Sequence, residues 1–177
     1  MSYTEDKKVL QEQTMVNIGL SLEARNQVVN SLNVLLANEY VLYTKTQNFH
    51  WNVTGKHFGP LHELFQQQYE QIANIIDKVA ERIRALGSPS IGSLQEFLQN
   101  KTIEEAHGAL IADTNMLQQL LTDHEHIIKQ LRTDTELTAR LNDTGTNNFL
   151  SNLIEQHEKI AWILRAHLVT EDTNQES

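Results

Sequence analysis

Residues 50–81 hold side chains with the chemistry of a metal site: His50, His62, Asp77 and Glu81. Imidazole plus carboxylate suits iron, zinc or manganese. The chain has no cysteine, which excludes disulfides, thiolate nucleophiles, iron–sulfur clusters and Cys-based zinc sites. Any metal must therefore sit on His, Asp and Glu. On a helix, at about 100° per residue, Asp77 lies about 60° and Glu81 about 100° around the axis from His62, so the three share one broad face. Asp77 and Glu81 are an i, i+4 pair able to chelate one ion together. His62 cannot join them within one chain, because the intervening residues, at about 1.5 Å each, span about 22 Å of axis. A shared site needs a second copy of the helix running the opposite way, the geometry of an isologous two-fold dimer. His50 lies just before the loop leading to His62 and could reach the same place. The residues alone leave a plainer alternative open: with Lys78 and Arg82 alongside, the acidic pair also reads as a solvated helix face, and each His as a surface or core-edge residue.

Other combinations are weaker. Glu104 and His107 match the Glu-x-x-His motif of di-iron bundles, but that architecture needs two such motifs and two further glutamates. At the opening of a helix, Glu104 reads instead as serving the helix dipole. His124 and His126 are two apart and face different ways. His57, His157 and His167 have no partner at ligand spacing and read as packing or surface residues. Tyr40, Tyr43, Phe149 and Trp162 fall on apolar stripes and read as core. There is no glycine-rich phosphate loop and no convincing Ser/His/Asp order.

The elements that must position these residues are helical almost throughout, with no sustained strict alternation. The first helix begins after Ser21, a good N-cap, carries Val29, Leu32, Leu36, Tyr40 and Tyr43, and fades at 52–55. The second begins at Gly59-Pro60, with Pro at the first helical position, and stops at Gly87. Residues 88–101 link the halves, with one or two turns of helix within 93–100. Thr102 and Glu105 form a capping box that opens a third helix through Ala106, Leu110, Leu117, Leu121, Ile128 and Leu131. A fourth runs from about Thr146 through Leu150, Leu153, Ile154, Ile160, Leu164 and Leu168. The fold class is all-α: a four-helix bundle with a short helix between the second and third helices.

At 177 residues the chain is one domain, with a tail at 1–20 and an acidic tail at 169–177. Gly 7 and Pro 2 are about 5% of the chain against a usual ~12%, which argues against turn-rich β folds. No apolar leader opens the sequence and no stretch approaches about 18 consecutive apolar residues, so a soluble, cytoplasmic protein is expected. The balance of 14 basic and 23 acidic residues, net −9, works against nucleic acid as a partner. Neither tail rescues it: Lys7 and Lys8 face Glu5, Asp6 and Glu12, and Glu171, Asp172 and Glu176 close the chain without a cation.

The segment HWNVTGKHFGPLHELFQQQYEQIANIIDKVAERIRALG at 50–87 resembles the signature of the Dps mini-ferritins, the DNA-binding proteins from starved cells. That pattern is His-Trp-Asn, a second His, an acid four later, then Asp and Glu four apart; here it reads His50, His62, Gln66, Asp77, Glu81. EKIAWILRAHL at 158–168 is similar to the family's last helix, and the resemblance spans roughly 20–168. It implies a ferritin-like bundle assembled as a hollow homododecamer. Such a cage is a ferroxidase: it oxidises Fe(II), preferably with hydrogen peroxide, at sites shared across a two-fold interface, and stores Fe(III) inside. By that analogy His50 of one subunit with Asp77 and Glu81 of another forms the tighter iron site, His62 helps hold a second iron near Glu81, and Trp51 sits beside the centre.

Two departures modify the expectation. Gln66 stands where the family usually has Asp, and a neutral amide oxygen is the weaker ligand, so one firm and one poor metal position are expected. Glu63 and Glu70 are nearby acids, read as about 60° to 100° around the helix from Gln66. The centre then oxidises iron slowly, or takes zinc at its firm position, the alternative being a non-enzymatic divalent-metal cage. Near 142–148, where relatives place acids lining a pore for incoming iron, this chain keeps Asp143 and has Asn147 and Asn148. Without lysine-rich tails, DNA binding is expected to be weak or absent, which disfavours a DNA-compacting assembly.

Overall fold

The computed structural model describes residues 16–106 and 111–169. Within them the chain forms α1 (Leu22–Asn52), α2 (Phe58–Ala85), α3 (Leu94–Asn100), α4 (Asp113–Arg140) and α5 (Thr144–Leu168), and no strand. α1 and α2 form one hairpin and α4 and α5 the other. The hairpins meet chiefly through α1 against α4, and α3 lies on α1.

Helix ends follow local chemistry. The Ser21 hydroxyl accepts from the Ala24 N–H at 3.1 Å and caps α1. α2 starts slightly earlier than expected, so Pro60 is its third residue, still in the first turn where a missing N–H costs nothing. Just past the end of α2 stands Gly87, whose φ of 90° is the left-handed conformation that follows a helix C-terminus. A Cβ there would lie 2.6 Å from Val16 Cγ2 and 2.9 Å from Arg25 Nη1, and Arg25 Nη1 donates to the Leu86 carbonyl at 2.9 Å. Part of the expected N-terminal tail is thus packed against the end of α2; residues 1–15 and 170–177, with the acids and lysines noted above, lie outside the described residues. Ser93 and Glu96 cap α3 reciprocally, and Tyr40 stacks on Phe97 with centroids 3.9 Å apart.

The third long helix does not open at Thr102. Residues 101–106 are irregular, α4 begins at Asp113, and Leu110 and His107 lie outside the described residues. The cause is a long-range competitor for the cap. Asn38, fully buried on α1, accepts from the Thr102 and Ile103 N–H groups at 2.7 and 3.3 Å and donates to Thr102 Oγ1 at 2.9 Å. The hydroxyl and N–H that a capping box needs are therefore already engaged. Glu104 consequently serves no helix dipole; it is 91% exposed and lies 3.4 Å from Lys101 Nζ.

The core is a continuous apolar layer from all four long helices, with Leu35, Phe65, Ile72, Ile83, Leu120 and Ile127 fully buried. Each such side chain contributes about 1.5–3 kcal/mol. Tyr40, Tyr43 and Phe149 pack against its edge, but Trp162, expected in the core, is 63% exposed. No helix among the described residues is long and apolar enough to cross a membrane.

Candidate metal centre

His50, in the last turn of α1, and His62, in the second turn of α2, are brought face to face by the short turn between the helices. Their rings stack with centroids 3.8 Å apart and planes 19° from parallel. His50 Nδ1 lies 2.7 Å from the His62 carbonyl oxygen and His62 Nδ1 lies 2.8 Å from the His50 carbonyl oxygen. A carbonyl only accepts, so each Nδ1 must carry the proton and donate, and each Nε2 presents its lone pair. A ring held in this way through Nδ1 could offer Nε2 to a metal ion. Phe58 stacks on His62 at 5.0 Å and Tyr69 meets His50 edge-on at 5.3 Å, so the rings are clamped between aromatics. Trp51, beside His50 in sequence, is 66% exposed.

The acids stand apart. Asp77 and Glu81 lie exposed on α2, and among the described residues neither carboxylate makes a hydrogen bond or ion pair. In one protomer no three His, Asp or Glu side chains among the described residues converge on a metal-sized space. His62 and the acidic pair share one broad face of α2, with His62 about 22 Å along the axis from Asp77, and His50 faces His62 from α1. Gln66 is exposed one turn beyond His62, and its Nε2 donates to Glu70 Oε1 at 2.9 Å. This corrects the angular reading of Glu70: four residues are about 40° of helix, so the two side chains share a stripe.

Asp143 does not line an acidic opening. It is 3% exposed, caps α5 through the Thr146 N–H at 2.9 Å, accepts from the Thr146 hydroxyl, and pairs with Arg82 Nη2 at 3.0 Å. His57 pairs with Asp113 at 2.8 Å, and that hydrogen bond holds the Asp113 carboxyl below its usual range. His126 hydrogen-bonds Thr102 Oγ1, whereas His124 points into the core.

One constellation escaped the spacing argument. His157 is fully buried on α5, with its Nδ1 2.9 Å from His124 Nδ1 of α4 and its Nε2 3.0 Å from Glu39 Oε1 of α1. The Glu39 contact is poorly aligned for a hydrogen bond, so both Glu39 oxygens and both Nε2 atoms are buried without one among the described residues. Complete burial, then the proximity of His157, hold His124 well below the ordinary imidazole range. Three sequence-distant helices supply these groups, so no motif reveals them. The legible signal was a charged or polar residue at a core register: Glu39 between Leu36 and Leu42, and His157 between Leu153 and Ile160.

Comparison with known proteins matches residues 29–173 to the ferritin-like domain. An uncharacterised low-temperature-induced protein of Nostoc is 43% identical over 154 residues, 86% of each chain. DNA protection during starvation protein 2 of Bacillus anthracis is 37% identical over 142 residues, 80% of this chain and 97% of that one. The crystal structure of the Dps protein of Vibrio cholerae, described as a member of a broad superfamily of ferritin-like diiron-carboxylate proteins, aligns with a TM-score of 0.83 at 34% identity, covering 87% of this chain and 97% of that one.

Proposed function

Proceeding from the premise that this chain belongs to the ferritin-like family, and within it to the Dps mini-ferritins, we propose that it is a ferroxidase and iron-storage subunit whose metal centre forms between two antiparallel copies. The observation that carries the reading is the reciprocal His50–His62 pairing, which fixes both Nδ1 protons and leaves two Nε2 lone pairs for metal. The ring separation of 3.8 Å is close to the roughly 3.5–4 Å between the ions of a two-metal site. Asp77 and Glu81 of the second copy supply the carboxylates, and their lack of other partners among the described residues of one protomer supports this role.

Fe(II) is the substrate. Two Fe(II) each give up one electron, the peroxide O–O bond takes both and breaks, and the product is two Fe(III) and two hydroxides. The histidines and carboxylates bind and orient the ions, and the negative carboxylates favour the higher charge of the ferric product. Gln66 makes the position beside His62 the weaker one, because an amide oxygen carries no net charge. The same residue supports a second reading, a cage holding zinc at the His50, Asp77 and Glu81 position without turnover. A closed dodecamer, protection against oxidative damage and cytoplasmic residence belong to the first reading.

Anaerobic Fe(II) titration, peroxide addition and size exclusion test it. Ferric absorbance rising faster than in buffer, with iron co-eluting and both lost in His50→Ala or Asp77→Asn, is the expected result. Oxidation at the buffer rate overturns it in favour of the metal-binding cage. Gln66→Asp is expected to raise the rate and tighten the second iron.

A further inference from the structure

Glu70 belongs to the metal stripe of α2, although no pattern of ligand types marks it. Measured from His62 around the axis, Gln66 lies at about 40°, Asp77 at 60°, Glu70 at 80° and Glu81 at 100°, so Glu70 falls within the fan of the proposed ligands. Its carboxylate oxygen Oε1 accepts from Gln66 Nε2 at 2.9 Å. A carboxylate only accepts and only the NH2 end of an amide donates, so this bond determines which way the Gln66 amide faces. Reversed, the carbonyl oxygen would meet the carboxylate and repel it. With the donor end held by Glu70, the carbonyl Oε1 is the end left to face a cation.

We propose that Glu70 is a positioning residue for the weaker metal position: it orients the Gln66 amide so that its carbonyl oxygen is the ligand. Resting on the ferroxidase reading above, this explains how a chain lacking the usual acid at Gln66 keeps a second metal position. The charge absent from residue 66 reappears one turn along the same stripe, acting through the amide. Glu63 does not do this, since it accepts from Gln67 at 3.3 Å and not from Gln66.

Anaerobic calorimetric titration of the assembled apo-protein with Fe(II) tests the assignment by affinity, independently of turnover. The wild type is expected to bind in two steps. Glu70→Gln, isosteric and exposed, is expected to weaken the second step about three- to tenfold, the scale of one charge-assisted hydrogen bond discounted for solvent, and to leave the first unchanged. In a Gln66→Asp background the same substitution is expected to cost nothing, because an ionised carboxylate ligates from either oxygen and needs no orienting partner. A second step unaltered by Glu70→Gln, or equally weakened in the Gln66→Asp background, overturns the assignment. Asp77→Asn separates the two ideas: loss of its first step alongside an unaltered Glu70→Gln titration keeps the ferroxidase centre and discards Glu70. A wild type that binds no Fe(II) overturns both.

Discussion

Replacing His157 by Phe removes the ring nitrogen 3.0 Å from Glu39 Oε1 and, among the described residues, the hydrogen-bond partner of His124, all three groups being fully buried. Phe fills the volume, so no cavity forms. The loss is electrostatic: a buried carboxyl group whose two oxygens make no hydrogen bond among the described residues loses the polar ring nitrogen beside it. Breaking a buried pair from one side costs about 3–5 kcal/mol. At about 2–4 °C per kcal/mol for a chain of this length, the melting temperature is expected to fall by roughly 6–20 °C. Replacing all three groups with apolar residues of similar volume (Glu39→Leu, His124→Leu and His157→Phe together) is expected to recover wild-type stability or exceed it, since nothing polar then remains to be desolvated. Denaturation followed by helical circular dichroism reads both. A His157→Phe cost below about 1 kcal/mol, or a triple variant less stable than the single one, would refute the electrostatic account. The same cluster carries a pH signature. His124 is held neutral in the native state while its unfolded pKa is about 6.5, so the unfolded chain binds more protons as the pH drops. Its contribution to stability is complete above pH 6.5 and is lost progressively below it, and the triple variant is expected to show a shallower acid limb.

Asp134 gives the opposite slope: burial raises its carboxyl to about 6 despite a hydrogen bond from Gln130, so folding loses stability as the pH rises from about 4 through about 6. Asp134→Asn is expected to stabilise the protein at pH 7–8 and to flatten that limb in the same denaturation series. Gly87→Ala forces a Cβ into a left-handed turn against Val16 and the Arg25 guanidinium, and is expected to cost about 1–3 kcal/mol in chemical denaturation without altering Fe(II) affinity. With a net charge of −9, the assembled protein is expected to leave DNA mobility unchanged at physiological salt in a gel-shift assay.

Much of the proposed centre could be laid out before the fold because most of its residues lie on one helix. His62, Asp77 and Glu81 share a face by arithmetic alone, and a site shared by the histidine and the acids needs a second copy because of the axial distance between them. What spacing could not show was orientation. The stacked rings and the reciprocal carbonyl contacts of His50 and His62 arise from how the turn at 53–57 docks α1 on α2, and they select the Nε2 atoms. Asp143 shows the converse: its position suggested an acid facing an opening, yet the start of α5 and Arg82 of α2 take up its carboxylate.

The sequence by itself determined the all-α class, the four long helices, the short fifth and which donor types are available to a metal, because helical periodicity, caps and donor chemistry are local properties of the chain. Tertiary structure decided where α4 begins, since Asn38 takes the Thr102 N–H and hydroxyl that a local cap would use. It also decided that Glu39, His124 and His157 meet in the core. Each of these depends on groups far apart in sequence competing for the same hydrogen bonds or sharing the same low-dielectric space. Only the packed chain determines which partner wins.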